Sequence, residues 1–368
     1  MSKLQLGVEI LEIINNNGYA AYIVGGAVRD HLLGKPIDDV DIATSMPIDK
    51  LASLFTVIET GINYLGVTVN YKNNLFEITN FRIELSYQNH RHPEVRLVKS
   101  LEEDVKRRDF TINALAYDSN LKLYDFFNGV NDLNNKIIKS IGDANIKFEQ
   151  DALRILRALY FASKLDFYPD YNVIDGMINK KGLLKELSDE RLYFYLKKLL
   201  YFTNKKGIDL INKYDLFSEI PEYKRWLSCI DDSYNEEDLP IYYYIKYNEF
   251  PAITTNKIKR LALIIKELID NNFSKYYLYK FKEEFSLIKE VINNLGYDII
   301  SIENIINGFV ISCDSDLALS KQEISSLFNG ENKAIAIKMV IEAVLDRSVN
   351  NKKEDILEFI KGFDFYGR

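Results

Sequence analysis

Residues 23–44 read IVGGAVRDHLLGKPIDDVDIAT, and the order of residue types in this stretch decides the fold. An apolar run at 22–24 breaks at Gly25 and Gly26. A short helical segment with Arg29 and Asp30 follows. The turn Gly34-Lys35-Pro36 then leads into a second apolar run, predicted as a strand over 40–43, that carries Asp39 and Asp41. Glycine lacks a Cβ, so the backbone at 25–26 can take positive φ and come close to a ligand. A helix start offers free N–H groups and the positive end of a dipole. A triphosphate would fit there, with Arg29 adding a charge-assisted contact. Side chains at i and i+2 of a strand share a face, which sets the two carboxylates side by side. Such a pair, with substrate phosphate, suits Mg²⁺. Two ions ~4 Å apart could activate a 3′-hydroxyl and stabilise a leaving pyrophosphate. A glycine turn or an Asp-x-Asp alone is commonplace; their order and proximity point to metal-assisted phosphoryl or nucleotidyl transfer.

The rest of the composition narrows the class. A chain of 368 residues is long enough for two or three domains. With 27% charged and 47% hydrophobic residues it reads as globular. No run approaches the ~18 apolar residues of a membrane span. The N-terminus, MSKLQLGVEILEII, lacks a cleavage region and reads as an amphipathic helix. Cys229 and Cys313 stand far apart, which argues against a disulfide framework or zinc site and suits a reducing cytoplasm. The net charge of −7 disfavours broad, non-specific nucleic-acid binding. It leaves room for a local basic groove, with candidates at 91–99, 106–108 and Lys205-Lys206. Only His31, His90 and His92 occur, which excludes a histidine-based metal or hydrolase site in the C-terminal two-thirds.

Along the chain, residues 1–142 mix helix and strand, with strands expected at 21–24, 40–43, 66–71, 75–81 and 122–126. Alternation in LFEITNF marks a half-buried strand. Beyond about 145 the apolar spacing turns helical, as in DALRILRALYFASKL and ERLYFYLKKLLYF. The acidic stretch DDSYNEEDLP at 231–240 reads as a loop or seam. No fixed-period repeat is present. The fold class is α+β.

Two further constellations carry chemistry. In EEDVKRRDFTINA (102–114), Arg107 and Arg108 with Asp109 and Asn113 could bind phosphate and ribose hydroxyls, although such clusters are usually solvated. In QDALRILR (150–157), Asp151, Arg154 and Arg157 recur every third residue of an expected helix and would form one ridge. Intrahelical ion pairing is the plain explanation. The sharper one is base recognition: ionised Asp only accepts, Arg only donates. Cytosine and adenine each set an amino donor beside a ring-nitrogen acceptor and match that pair. Uracil and guanine would leave both partners unpaired, which is costly.

These stretches together resemble the bacterial-type, class II CCA-adding enzymes (tRNA nucleotidyltransferases), a family shared with bacterial poly(A) polymerases. The resemblance rests on five ordered motifs over residues 20–200: GGAVRD…DDVDIAT, RRDFTINALAYD, DFFNGVNDLNNKIIKSIGD, EQDALRILRALYFASKL and LSDERLYFYLKKLL. It implies a polymerase-β-like nucleotidyltransferase head, a mixed β-sheet with helices, at 1–142. An all-helical neck at 143–205, body at 206–290 and tRNA-binding tail at 291–368 would follow. The implied reaction adds C, C and A to the tRNA 3′ end from CTP and ATP with Mg²⁺ and no template, in the cytoplasm and with no membrane partner. By position, Asp39 and Asp41 would ligate the metal. Gly26 and Arg29, with Gly25 beside them, would contact the triphosphate. Arg108 would contact the nucleotide, and Asp109 and Asn113 would lie near the ribose. Asp151 and Arg154 would read the base, with Arg157 behind them or on the phosphates. Glu77 sits where the superfamily often has a third carboxylate.

Three positions depart from the pattern: Gln150 for glutamate, Tyr160 for a further arginine, and Lys139 for arginine, which loses the planar fork. The segment with Arg91, Pro93, Glu94 and Val95 resembles the flexible loop of complete CCA enzymes and favours full CCA synthesis. Partial CC- or A-adding enzymes and poly(A) polymerases are the neighbouring alternatives. A non-catalytic RNA-binding protein is a remote one, since the carboxylates and glycines are intact.

Overall fold

The computed structural model describes residues 2–61, 66–88, 91–229, 236–251 and 254–363. The chain opens with α1 (Lys3–Asn16), started by a capping box in which Ser2 and Gln5 bond reciprocally. Leu4, Leu6, Ile10, Leu11 and Ile14 form its buried stripe. Gly7 lies within that stripe, where a Cβ would come 3.0 Å from Val40 and 3.1 Å from Ile23. The missing side chain lets α1 press directly on the strands that carry the site.

Next come β1 (Ala21–Val24), α2 (Gly26–Leu32), β2 (Asp41–Thr44), α3 (Ile48–Leu54), β3 (Thr56–Gly61), β4 (Gly66–Tyr71) and β5 (Asn74–Asn80). A hairpin of β6 (Arg82–Gln88) and β7 (Arg91–Leu97) follows, then α4 (Leu101–Lys106), β8 (Ala116–Tyr117) and β9 (Leu123–Tyr124). One seven-stranded sheet has the order β3-β4-β5-β2-β1-β8-β9. It is mixed: β2 and β5 run parallel, and the other neighbours run antiparallel. Val24, Ala43, Phe81, Leu101, Val105, Ala114, Ala116 and Ile141 pack into one of its cores. In β5 the expected alternation is clear, with Phe76, Ile78 and Asn80 buried while Leu75 and Glu77 face solvent.

Helices dominate after that: α5 (Gly129–Asn134), α6 (Ala144–Gln150), α7 (Leu153–Leu165), α8 (Tyr171–Lys180), α9 (Asp189–Tyr201), α10 (Lys206–Tyr214) and α11 (Pro221–Leu227). A parallel pair, β10 (Ile137–Ile138) and β11 (Tyr168–Pro169), ties the segment before α6 to the one after α7.

The chain divides into two compact units, Met1–Lys224 and Arg225–Arg368. All described strands belong to the first. The second holds α12 (Leu239–Tyr247), α13 (Asn256–Asp270), α14 (Lys275–Lys280), α15 (Lys282–Asn294), α16 (Ile299–Asn307), α17 (Lys321–Ser326), α18 (Asn332–Leu345) and α19 (Lys353–Lys361). It has two apolar clusters, one around Ile265, Ile288 and Ile292 and one around Ile324, Val340 and Ile356. Of the acidic stretch at 231–240, residues 231–235 lie outside the described residues, and the rest forms a short turn of 3-10 helix (Glu236–Asp238) and the start of α12.

Four sequence expectations change. The segment read as a flexible loop is a paired hairpin, because β6 and β7 find each other outside the main sheet. His90 and the side chains of Arg91, His92 and Pro93 lie outside the described residues. β3 was not anticipated. β2 starts at Asp41, so Asp39 precedes the ladder; buried Val40 between two exposed aspartates keeps both carboxylates on one face all the same. Lastly, residues 150–157 are not one helix. α6 ends at Gln150 and Asp151 is extended (φ −150°, ψ 103°). Its carboxylate accepts from the Leu153 backbone N–H at 3.0 Å, the local side-chain turn that aspartate favours over helix interior.

Candidate active site

The register of the sheet builds the site. Val24 is opposite Asp41 in the antiparallel β1–β2 pair, so the glycine turn that ends β1 lies beside the start of β2. Asp41 is also opposite Glu77 across the parallel β2–β5 pair. Gly25 has φ +73°, open to glycine, and a Cβ there would come 3.2 Å from an Arg108 nitrogen. The turn therefore brings backbone, Arg108 and Asp41 to one place. Desolvation by the surrounding protein, Glu77 and Asp39 push the Asp41 carboxyl above its ordinary range, against Arg108 and Lys3. That is the signature of acids short of positive charge.

Asp39 is 90% exposed and bonds Lys3 Nζ at 2.9 Å; the same ammonium donates to the Asp38 carbonyl at 2.6 Å. A side chain from α1 thus stands in as the cation of this acidic corner. Among the described residues, no three His, Cys, Asp or Glu side chains are grouped to hold a metal unaided. Asp39 and Asp41 fit the other arrangement, in which one or two carboxylates share the ion with substrate phosphates. Glu77 stands next to Asp41 without completing a protein-only site.

Arg29, on α2, is 3% exposed. It grips Asp30 through two bonds of 2.8 Å, donates to Asn113 Oδ1 at 2.7 Å and lies 5.2 Å from the Phe161 ring. Asn113 in turn donates to Asp109 Oδ1 at 3.3 Å, and Arg157 Nε donates to Asp109 Oδ2 at 2.5 Å. A chain of polar contacts therefore runs from the glycine-turn helix to α7. Burial would raise Asp109, but Arg157, the Phe110 N–H and Asn113 outweigh it and hold its carboxyl below the usual range. Arg157 is raised above an ordinary guanidinium by Asp109.

A second network supports Arg154. Its guanidinium donates to the Lys147 carbonyl (2.9 Å), Gln150 Oε1 (3.2 Å) and the Arg107 carbonyl (3.1 Å), and faces Glu84 of β6 at 3.6 Å. Gln150 thus supports Arg154 as a neutral acceptor. Burial raises the Asp151 carboxyl despite Arg154. Asp104, fully buried, holds Arg107 at 2.9 Å and Arg108 at 3.3 Å. The Nε of Arg108 is buried and has no protein partner among the described residues. Lys147, desolvated and close to Arg154, is pulled down to about 8.

One cleft of about 670 Å³ gathers Gly25, Gly26, Arg29, Asp39, Asp41, Arg108, Asp109, Asn113, Asp151, Arg154, Arg157 and Tyr160. Of the expected site residues only Glu77 is not part of its lining. The cleft also takes in Arg107, beside the expected Arg108, and Glu84, Phe161, Lys164, Tyr195 and Lys198, which sequence reasoning did not single out. Lys198 sits in a quoted motif, but nothing in the spacing says that α9 turns it toward α7.

Residues 21–139 match the model of the poly(A) polymerase head domain. Over nearly its whole length the chain is 33% identical to the CCA-adding enzyme of Staphylococcus epidermidis, covering 95% of this chain and 96% of that one. The Listeria innocua CCA-adding enzyme is likewise 33% identical, with 95% and 96% covered. The chain belongs to the CCA-adding enzymes. Its fold agrees: a Bacillus stearothermophilus CCA-adding enzyme solved in complex with CTP superposes with a TM-score of 0.72 at 27% identity, over 98% of each chain. In this CCA-adding enzyme one cleft gathers an acidic corner, a glycine turn and an Asp/Arg pair.

Proposed function

We propose that this CCA-adding enzyme extends the 3′ end of tRNA by C, C and A, using CTP and ATP without a nucleic-acid template and releasing pyrophosphate. The observation that carries the reading is the single cleft in which Asp39 and Asp41 meet Gly25, Gly26 and the Asp151/Arg154 pair. Asp39 and Asp41 would hold Mg²⁺ together with the triphosphate, and the ion would supply positive charge where the 3′-oxygen attacks and pyrophosphate departs. The backbone at Gly25 and Gly26 lies against the phosphates, and Arg29 fixes that turn through Asp30 and Asn113. Arg108, with its free Nε, contacts the nucleotide. Asp109 and Asn113 lie toward the ribose. Asp151 accepts from the amino group of cytosine or adenine while Arg154 donates to the adjacent ring nitrogen.

We divide the work of the chain among a catalytic head (1–142), a base-reading neck (143–205), a body (206–290) and a tRNA-binding tail (291–368). The free thiols of Cys229 and Cys313 support a reducing, cytoplasmic setting. No helix among the described residues is long and apolar enough to cross a membrane.

The test is incubation with tRNA lacking its 3′ CCA, given CTP alone, ATP alone or both. Two added residues with CTP and three with both are expected. One added A only, or a long A tract, would assign a partial enzyme or a poly(A) polymerase instead. Asp39→Ala and Asp41→Ala should each abolish addition with little effect on folding; near-normal activity in both would refute the metal assignment.

A further inference from the structure

Each arginine of the cleft is already matched by a carboxylate. Arg29 holds Asp30, Arg107 and Arg108 share Asp104, Arg154 faces Glu84, and Arg157 holds Asp109. Lys3, at the acidic corner, is tied to Asp39. Lys164 of α7 and Lys198 of α9 line the same cleft, yet among the described residues neither has a carboxylate partner. They meet ring faces instead. Lys164 Nζ is 5.7 Å and Lys198 Nζ 5.3 Å from the centre of Tyr160, and Lys198 is 4.1 Å from Phe194. Two ammonium groups thus stand around Tyr160.

The order of residues along α7 says which part of a ligand reaches these lysines. Asp151 and Arg154 are at the start of this wall and Arg157 is next. At Phe161 the guanidiniums of Arg157 (5.4 Å) and Arg29 (5.2 Å) both rest on the ring. Lys164 comes last, about 15 Å of helical rise beyond Arg154. A nucleotide with its base at Asp151/Arg154 and its phosphates running along this wall past Arg157 would reach the lysines of the same cleft.

We propose that Lys164 and Lys198, gathered around Tyr160, form the subsite for the terminal phosphates of the incoming nucleotide, and so for the pyrophosphate that leaves. This rests on the nucleotidyl-transfer reading above. The tRNA 3′-oxygen bonds to the α-phosphorus and loses its proton to solvent. The bond from the α-phosphorus to the bridging oxygen breaks, and that oxygen keeps the electron pair. The lysines offset the charge so gained. An ammonium with no protein carboxylate gives up no ion pair to meet a phosphate. Lysine is a point charge without the bidentate fork of arginine, which suits a product that must depart.

The test compares the full-length enzyme with its Lys164→Met/Lys198→Met variant. Binding of CTP and of CMP is measured, together with inhibition by inorganic pyrophosphate and the KM for tRNA. CTP affinity and pyrophosphate inhibition should weaken on the order of tenfold, while CMP affinity and the KM for tRNA stay the same. Lys164→Arg/Lys198→Arg should restore both, which separates lost charge from lost folding. Unchanged CTP affinity and pyrophosphate inhibition would overturn the subsite. A rise confined to the KM for tRNA would also overturn it and give the lysines to the tRNA strand. Failure of the wild-type enzyme to bind CTP would instead overturn the transfer reading on which the subsite rests.

Discussion

Asp109 shows how much one buried residue can settle. It is 7% exposed and accepts from Arg157, Asn113 and the Phe110 backbone. Arg157→Leu would leave that carboxylate without its ion-pair partner, at a cost of about 1–3 kcal/mol, set toward the low end by the partial exposure of Arg157. Lys164→Met, which breaks no ion pair among the described residues, should cost less; denaturant unfolding of the two variants checks the ranking. The pH dependence has a definite sign. Asp109 is held below its unfolded value, so its stabilisation is present above about pH 3.9 and is lost as pH falls through the folded value. Acid unfolding of Asp109→Asn should therefore be flatter in that range than that of the wild type. The sequence displays Asp109 as one charge in a common RRD cluster. Its partner, 48 residues away, is a matter of tertiary contact.

At the scale of elements, the break between α6 and α7 matters most. A regular ridge would have pointed Asp151 and Arg154 along one helix face. The extended Asp151 instead both begins α7, through its bond to Leu153 N–H, and opens its remaining acceptor sites toward the cleft. These two jobs can be separated. Asp151→Asn retains the side-chain oxygen for Leu153 but introduces an amide donor, while Asp151→Ala loses both. We expect both variants to lose discrimination of CTP and ATP against UTP and GTP by about tenfold to a hundredfold, equivalent to 1–3 kcal/mol of unpaired polar contact. Only the alanine variant should also unfold at lower temperature. Unchanged selectivity in active Asp151→Ala would disprove the base-reading role. The hairpin β6–β7 bears on the same point, because Glu84 reaches Arg154 from it. Sequence alternation was strong enough to expose β5 but not β6 and β7, whose partners are each other and not the sheet.

The whole molecule is two units with separate apolar cores, and the cleft lies wholly within the first. A fragment ending at Lys224 is accordingly expected to bind CTP much as the full chain does, while its affinity for tRNA falls; equal tRNA affinity in a gel-shift titration would refute a tRNA-binding role for the C-terminal helices. The sequence alone determined the chemical class, because the glycine turn and both aspartates lie within 23–44 and local periodicity sets their faces. It also determined the change from mixed sheet to helix near 145, which follows from side-chain spacing. Tertiary structure decided what no local rule encodes. It set Lys3 on Asp39, linked Arg29 to Asn113 across 84 residues, and turned α9 so that Lys198 joins Lys164 around Tyr160. Such contacts depend on how buried faces pack, and residues far apart in sequence meet only once that packing is complete.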